Sequence, residues 1–186
     1  MSRRRLPHIY SENDWLFVTW HLHGSVPRGL YPPPDKASAG KAFVWMDRYL
    51  DTTRHGPMFL RQPEVASLVV KVLRQGVNFE YYDLRAFVVM ANHVHVLIRT
   101  RQTGSRVLQW IKGTTAREAN LVLGRTGESF WQRESYDHRV RNAQQLERIV
   151  AYIENNPVRA GLAAEPAFYP WSSACTGGEL KFTAAR

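Results

Sequence analysis

The sequence predicts an α+β fold in which helices cover an antiparallel sheet, as in ferredoxin-like proteins. The predicted elements follow the order strand, helices, two strands, helix, short strand, helix. The two middle strands are separated by only a few residues, which favours an antiparallel hairpin. A chain of 186 residues is long enough for one core. We therefore expect a single domain over residues 1–186, with a basic N-terminal arm (1–14) and an irregular C-terminal tail (163–186).

The first half of the chain predicts one strand and two helices. Residues 15–23 are rich in aromatic and β-branched side chains, which are typical of a strand. A loop rich in proline and glycine follows, and residues 41–52 then carry apolar side chains at helical spacing. Gly56-Pro57 ends this helix, and Pro63 is suited to open the next one. The expected buried side of that second helix consists of Val65, Leu68, Val69, Val72 and Leu73.

The second half predicts a hairpin and two further helices. Residues 79–90 form a strand with a break near Asp83, and Asn92 turns the chain into a strand over residues 93–100. Ser105 is expected to cap a helix that runs to about residue 123. Residues 130–131 and 136–140 resemble short strands or loops. Asn142 caps the last helix, which Pro157 ends. The predicted inward side chains of the longer helix are Val107, Leu108, Ile111, Ala119 and Val122.

The charge balance predicts a polyanionic partner. Lys and Arg number 25 against 16 acidic residues, which gives a net charge of +9 and a pI near 10.0. Nucleic acid is the commonest polyanion for a protein of this kind, although such charge also serves solubility alone. No apolar run is long enough for a membrane span, no export signal follows the basic N-terminus, and Cys175 is the only cysteine. These features predict a cytoplasmic protein associated with the nucleoid and not with a membrane.

The most informative segment is Asn92-His93-Val94-His95 in the predicted strand. Side chains alternate along a strand, so His93 and His95 share one face, about 6–7 Å apart along the chain. Two such imidazoles suit one metal ion or one phosphate, although a polar strand face is the simpler interpretation. His21 and His23 repeat this spacing, and we expect them to lie on the sheet face or to face DNA without binding metal.

A second informative segment, residues 151–157, lies near the end of the last helix. Tyr152 and Asn156 are four residues apart, so they lie on one helical face. A packed tyrosine and a helix stop are the simpler interpretations of these two residues. If this helix lies over the face that carries His93 and His95, two imidazoles, one amide and one phenol converge.

These segments resemble a known family of enzymes. The segment from Asn92 to His95 is similar to the His-hydrophobic-His (HUH) motif of single-strand nucleases, and residues 152–162 are similar to the tyrosine motif of REP-associated tyrosine transposases. Residues 56–60 and 130–138 are similar to the same family. Ala91 stands where that family commonly has proline, a departure that leaves the candidate ligands intact.

The resemblance implies a ferredoxin-like HUH nuclease that nicks single-stranded DNA beside palindromic hairpins. It implies that Tyr152 is the nucleophile, with a 5′-phosphotyrosine intermediate, and that His93, His95 and Asn156 bind Mg²⁺ or Mn²⁺. A monomer and a homodimer both remain open. The alternative is a non-catalytic hairpin-binding relative, which has no use for a phenol opposite a set of metal ligands.

Several basic and aromatic residues are candidates for DNA contact. Arginine binds phosphates well, and tryptophan can stack on unpaired bases. The simpler interpretations are a solvated charged surface for the cations and core packing for Trp131 and for Trp110, a further stacking candidate. The predicted DNA contacts are Arg3, Arg4, Arg5, Lys112, Arg117, Trp131, Arg133, Arg139, Arg141 and Arg159.

Overall fold

One antiparallel sheet organises the protein. The computed structural model describes residues 13–30 and 39–176. Within these ranges the sheet contains four strands in the order β2-β3-β1-β4, and every neighbouring pair is antiparallel. This order is the ferredoxin-like one, so the predicted fold class is confirmed. The strands are β1 (Trp15–His21), β2 (Tyr82–Val89), β3 (His93–Thr100) and β4 (Tyr136–Arg139).

Helices cover both faces of the sheet. Helices α2 and α3 pack together over an apolar cluster on one face, whereas α4 packs against β2 and β3 on the other. Helix α1 lies on the same face of the sheet as α4. On this face Phe43 packs into a second apolar cluster, and Leu50 is buried. The helices are α1 (Ala39–Thr52), α2 (Pro63–Asn78), α3 (Gly104–Val122) and α4 (Ala143–Arg159).

The predicted hairpin between β2 and β3 is confirmed. Val89 pairs with Val94, and the N–H of Met90 donates to the carbonyl of His93 at 2.8 Å. The register shifts between Leu84 and Ala86, close to the break predicted near Asp83. Strand β2 begins three residues later than predicted because α2 and its C-terminal turn occupy residues 79–80.

Two predictions about α3 are wrong. Ser105 is the second residue of the helix, and Thr103 occupies the cap position without a side-chain hydrogen bond. Val122 is 54 % exposed because Ala119 and Leu123, four residues apart, form the inward face at this end of the helix.

The prediction that Pro157 ends the last helix is also wrong. Helix α4 continues through Pro157 to Arg159. Proline has a helical φ, but it removes the hydrogen bond that its N–H would donate to the carbonyl of Ile153, and its ring crowds that carbonyl; only two residues of the helix follow it. The predicted cap is confirmed, since the side-chain oxygen of Asn142 accepts a hydrogen bond from the N–H of Gln145 at 2.8 Å.

The C-terminal segment lies along the outer edge of β2. The N–H of Val89 donates to the carbonyl of Trp171, and the N–H of Ser173 donates to the carbonyl of Phe87, each at 2.9 Å. The hydroxyl of Tyr169 donates to the carbonyl of Val89 at the same distance. The predicted arm (residues 1–12 of it) and the end of the predicted tail (177–186) lie outside the described residues. No helix in the described ranges is both long enough and apolar enough to span a bilayer.

Candidate active site

His93 and His95 lie side by side on the face of the sheet that α1 and α4 cover. Both side chains project from β3 toward α4, and both residues are 0 % exposed. Their Nε2 atoms are 3.1 Å apart. The predicted shared face is therefore present, and both ring nitrogens point at one spot.

The other nitrogen of each imidazole is held by a neighbour. His93 Nδ1 lies 2.7 Å from Asn92 Oδ1, which can only accept, so His93 carries its proton on Nδ1. His95 Nδ1 lies 2.7 Å from the hydroxyl of Thr19. Asn92 Nδ2 in turn donates to the carbonyl of Leu50 at 3.2 Å. These contacts leave the Nε2 lone pair of His93 available to a ligand, as in metal-binding histidines.

Helix α4 brings the second predicted pair to the same place. Asn156 is 0 % exposed, and its Nδ2 lies 3.3 Å from His95 Nε2. The ring of Tyr152 lies 5.7 Å from the ring of His95, centroid to centroid. The two imidazoles, the amide and the phenol therefore converge between β3 and α4.

Two carboxylates on α1, which sequence reasoning missed, complete the cluster. Asp47 Oδ1 lies 3.1 Å from His95 Nε2, and Asp51 Oδ1 lies 3.5 Å from His93 Nε2. The hydroxyl of Tyr152 donates a hydrogen bond to Asp47 Oδ2. The available sequence signal was their spacing of four residues, which places both carboxylates on one helical face.

The donor set fits a divalent cation. Asp47, His93 and His95 each offer one ligand atom, and these atoms lie within 4.8 Å of one another. Asp47 Oδ1 and Asn156 Oδ1 are buried and accept no hydrogen bond from the described residues. Adjacent ligands on an octahedral ion with bonds of about 2.1 Å lie about 3.0 Å apart. The separations of 3.1 Å between the imidazoles and 3.1 Å between Asp47 and His95 match that spacing.

Burial and mutual charge set the protonation of the cluster. Burial raises the pKa of Tyr152 well above its usual value, and the charge of Asp47 adds to this shift. Burial opposes ionisation of Asp47, but the close contact and charge of His95, whose Nε2 lies 3.1 Å from Oδ1, outweigh it and bring the pKa to about 2. Burial and then the charge of Asp47 raise the pKa of Asp51 to about 7. Burial, followed by His95, lowers the pKa of His93. The phenol is consequently protonated at neutral pH.

A cavity of about 440 Å³ adjoins the cluster between α1 and α4. Asp47, Arg48, Tyr152 and Arg159 are among its lining residues. The guanidinium of Arg159 lies over the ring of Tyr152, 5.1 Å from its centroid. The space beside the phenol is therefore bordered by two arginines, Arg48 and Arg159, and by the carboxyl groups of Asp47 and Asp51.

Some of the predicted DNA contacts are exposed, whereas others are buried or form hydrogen bonds within the protein. Trp131 is 8 % exposed within the α2–α3 core, and its Nε1 donates to Thr115 Oγ1 at 2.8 Å, so its burial does not support stacking on a base. The ammonium of Lys112 donates to the carbonyls of Gln132 and Arg133 and to the hydroxyl of Ser135. Arg3, Arg4 and Arg5 lie outside the described residues. The exposed candidates are Arg117, Arg133, Arg139, Arg141 and Arg159.

The competing pair, His21 and His23, does not form a second site. Strand β1 ends at His21, so His23 lies in the following turn and is exposed. His21 is buried, and its Nδ1 lies 3.0 Å from the carbonyl of Leu22. Neither histidine belongs to a metal-binding group among the described residues.

A known protein family matches the part of the chain that contains most of the residues of this cluster. A family model described as "Transposase IS200 like" matches residues 57–156, more than half of the chain. The chain belongs to the IS200-like transposase family. The matched region of this transposase contains His93, His95, Tyr152 and Asn156, whereas Asp47 precedes it. No curated protein matches the sequence.

A solved structure supports the same fold. A REP-associated tyrosine transposase bound to a REP hairpin is similar, with a TM-score of 0.57 and 20 % identity over 92 % of this chain and 82 % of that chain. A putative transposase from Deinococcus radiodurans R1 gives a TM-score of 0.46 and 17 % identity over 84 % of this chain and 98 % of that chain. The transposase described here therefore has the fold of the REP-associated enzyme.

Proposed function

We propose that this transposase nicks and rejoins single-stranded DNA beside palindromic hairpins, with Tyr152 as the nucleophile. The observation that carries the proposal is the convergence of the Tyr152 ring with the two buried imidazoles of β3. The family model supports a transposase. The hairpin bound to the structurally similar REP-associated enzyme supports the choice of substrate.

The proposed metal ligands are His93, His95 and Asn156. Asn156 turns its amide toward His95, and the orientation of such an amide is assigned from its contacts, so its oxygen is available on a flip of the side chain. A bound Mg²⁺ or Mn²⁺ would neutralise charge on the scissile phosphate and polarise its P–O bonds. These three residues would orient the substrate phosphate toward the phenol.

Tyr152 would carry the covalent step. Its oxygen forms a bond to phosphorus while the bond from phosphorus to the 3′ oxygen breaks, and the hydroxyl proton leaves the phenol. The products are a 5′-phosphotyrosine and a free 3′-OH, which takes up a proton. Attack by a 3′-OH on the phosphotyrosine reverses these bond changes and rejoins a strand without another energy source.

The aromatic residues around Tyr152 would hold its ring and exclude water. The rings of Phe17 and Phe43 lie 5.9 Å and 6.4 Å from the ring of Tyr152, centroid to centroid. Such exclusion protects a covalent intermediate from hydrolysis and leaves it for the incoming 3′-OH.

The surrounding cations would bind the DNA backbone. We assign this role to Arg159 at the cavity and to the exposed Arg117, Arg133, Arg139 and Arg141, with Lys112 and the arginines of the N-terminal arm as further candidates. We treat residues 1–186 as one DNA-processing domain that acts at the nucleoid in the cytoplasm, as a monomer or a homodimer.

The decisive experiment looks for a covalent protein–DNA adduct. The full chain is incubated with hairpin-bearing single-stranded DNA and Mn²⁺ or Mg²⁺, and the adduct is resolved on a denaturing gel. We expect Tyr152→Phe to abolish the adduct and leave hairpin affinity within about twofold, because only one oxygen is removed.

Tyr136→Phe is the matched control for this experiment. Tyr136 belongs to the same aromatic group, with its ring 4.2 Å from that of Phe43, and should still allow adduct formation when its hydroxyl is removed. An adduct that persists in Tyr152→Phe would remove Tyr152 from the mechanism. Tight hairpin binding by the wild type without any adduct would instead identify a binding protein.

Salt dependence tests the electrostatic part of the proposal. Arginine contacts to phosphate release counterions, so the hairpin affinity should fall about 10³-fold or more between 50 and 200 mM salt if six or more phosphates are contacted. Fluorescence anisotropy with a labelled hairpin measures this slope. A flat response would contradict backbone binding by the arginines.

A further inference from the structure

Asp47 contacts both halves of the site at once. One carboxylate oxygen, Oδ1, lies 3.1 Å from His95 Nε2, and the other, Oδ2, accepts a hydrogen bond from the hydroxyl of Tyr152. The side chain is 3 % exposed. A single buried carboxylate therefore connects the candidate metal ligands on β3 with the candidate nucleophile on α4.

We propose that Asp47 bridges the metal and the nucleophile: Oδ1 is a ligand of the divalent ion, and Oδ2 positions the Tyr152 hydroxyl beside it. This inference rests on the proposed function and adds helix α1 to the catalytic centre. Asp47 would both bind the metal and position the hydroxyl. It lies outside the two sequence motifs, which are on β3 and α4.

The chemistry of the donor set supports the ligand role. Two imidazoles and an amide are neutral and suit Mg²⁺ or Mn²⁺ only moderately, because these ions prefer oxygen donors. Asp47 supplies a charged oxygen that is buried and accepts no hydrogen bond from the described residues. A buried carboxylate oxygen without a donor is costly unless an ion or another donor occupies the space before it.

The packing of α1 keeps this carboxylate in place. The carbonyl of Leu50 accepts the hydrogen bond from Asn92 Nδ2, and Asn92 also holds the ring of His93. Leu50 is 2 % exposed, and Phe43 stands edge-on to Phe17, with 5.4 Å between ring centroids. Helix α1 is thus tied to the hairpin turn that carries the imidazoles.

Asp51, one helical turn later, provides a comparison within the same helix. Its Oδ1 lies 3.5 Å from His93 Nε2, and it is not part of the group of ligand atoms that contains Asp47, His93 and His95. Asp47→Asn and Asp51→Asn therefore each replace a buried carboxyl group by an amide on the same helix, while only the first removes the proposed bridge.

The first test measures the affinity of the DNA-free full chain for Mn²⁺ by titration calorimetry and by the electron paramagnetic resonance signal of free Mn²⁺. We expect Asp47→Asn to weaken Mn²⁺ binding at least tenfold and Asp51→Asn to weaken it less than threefold. Tyr152→Phe should leave the affinity within twofold. Equal losses in the two asparagine variants, or no loss in Asp47→Asn, would overturn the ligand role.

A second variant separates ligation from a structural effect. In Asp47→Cys the new thiolate favours a soft ion, so Cd²⁺ should produce a thiolate-to-metal charge-transfer band in the ultraviolet. The wild type, which contains only Cys175, is the control for thiol absorption. A folded Asp47→Cys protein that binds Cd²⁺ without this band would show that residue 47 is not a ligand.

The positioning role is tested at saturating Mn²⁺ with hairpin DNA. If Asp47 acted as a ligand alone, enough metal would restore the rate of adduct formation in Asp47→Asn. We expect the saturated rate to stay at least tenfold below that of the wild type because, with the remaining oxygen on the metal, the amide nitrogen faces the hydroxyl and cannot accept its hydrogen bond. Full restoration would overturn the bridge.

These measurements distinguish a failure of the proposed bridge from a failure of the proposed function. Metal affinity and the Cd²⁺ band require no cleavage, so a wild type that binds Mn²⁺ through Asp47 but forms no adduct contradicts the proposed function alone. A wild type that forms the adduct, together with an Asp47→Asn variant of unchanged Mn²⁺ affinity, contradicts the bridge alone. A wild type that binds no Mn²⁺ overturns the bridge.

Discussion

The two faces of β3 differ sharply in chemistry although they alternate along the same eight residues. Toward α2 and α3 the strand presents Val94, Val96 and Ile98, which belong to a wholly apolar cluster. Toward α4 it presents His93 and His95, with Leu97 as its apolar residue. Both faces are buried to the same degree. The comparison shows that burial alone does not distinguish a core from a site, whereas the partners of the buried groups do.

The two faces also contribute differently to stability. On the α2–α3 side, burial of aliphatic surface stabilises the fold by about 25 cal/mol per Å². On the α4 side, the buried Oδ1 atoms of Asp47, Asp51 and Asn156 accept no hydrogen bond from the described residues. Such groups reduce stability until a ligand engages them, and that ligand then stabilises the protein by mass action. Added Mn²⁺ should consequently raise the melting temperature.

The largest effect is expected from exchanging polarity between the faces. Val96→Asp would place a carboxylate in the apolar cluster without a partner, at a cost of more than about 3 kcal/mol, and should prevent soluble folding. The matched change on the other face, His95→Asn, replaces one polar side chain by another between Thr19 and Asp47. It should retain a cooperative thermal transition by circular dichroism, and equal losses in both variants would contradict the proposed difference.

A smaller effect is expected from pH, through Asp51. Its pKa is raised from 3.8 to about 7 by burial and by the charge of Asp47. Between these values the folded protein holds a proton that the unfolded chain lacks, so this group makes stability fall as pH rises from about 4 to 7. Asp51→Asn removes that contribution.

The free energy of unfolding of metal-free Asp51→Asn, relative to wild type, should therefore increase across this window, by about 3–4 kcal/mol at most. Urea unfolding at several pH values measures the difference. A difference that is independent of pH would show that Asp51 is not held in its protonated form.

The smallest effect is expected at the start of α4. Asn142→Ala removes the side-chain oxygen that accepts from the N–H of Gln145 and should cost about 1 kcal/mol. The cap lies more than two turns before Tyr152, so the rate of adduct formation per folded molecule should change less than twofold. A much larger loss of rate would indicate that the cap also sets the position of the proposed nucleophile.

The sequence was sufficient to predict both halves of the site but not their complement on α1. Strand and helix periods place His93 with His95 and Tyr152 with Asn156 from local spacing alone. The four-residue spacing of Asp47 and Asp51 is a weaker local signal, because acidic residues on a helix are usually solvated. The partners of Asp47 lie on β3 and α4, far along the chain, and only the tertiary packing of α1 brings it to them.

In the fold, too, some features follow from the local sequence, whereas others depend on tertiary packing. The hairpin at Asn92 and the cap at Asn142 follow from short-range chemistry and were predicted. The passage of α4 through Pro157 and the outward turn of Val122 depend on how each helix packs, which the spacing of apolar residues does not determine.

The strap formed by Tyr169, Trp171 and Ser173 has a consequence for the solubility of shortened forms. Its hydrogen bonds engage backbone groups of β2 that would otherwise be unpaired at the edge of the sheet. A protein truncated before Tyr169 would present those amides and carbonyls to other chains, and unpaired rims of this kind promote intermolecular strand addition. Shortened versions of the transposase should therefore self-associate, even though the residues that we assign to cleavage are all retained.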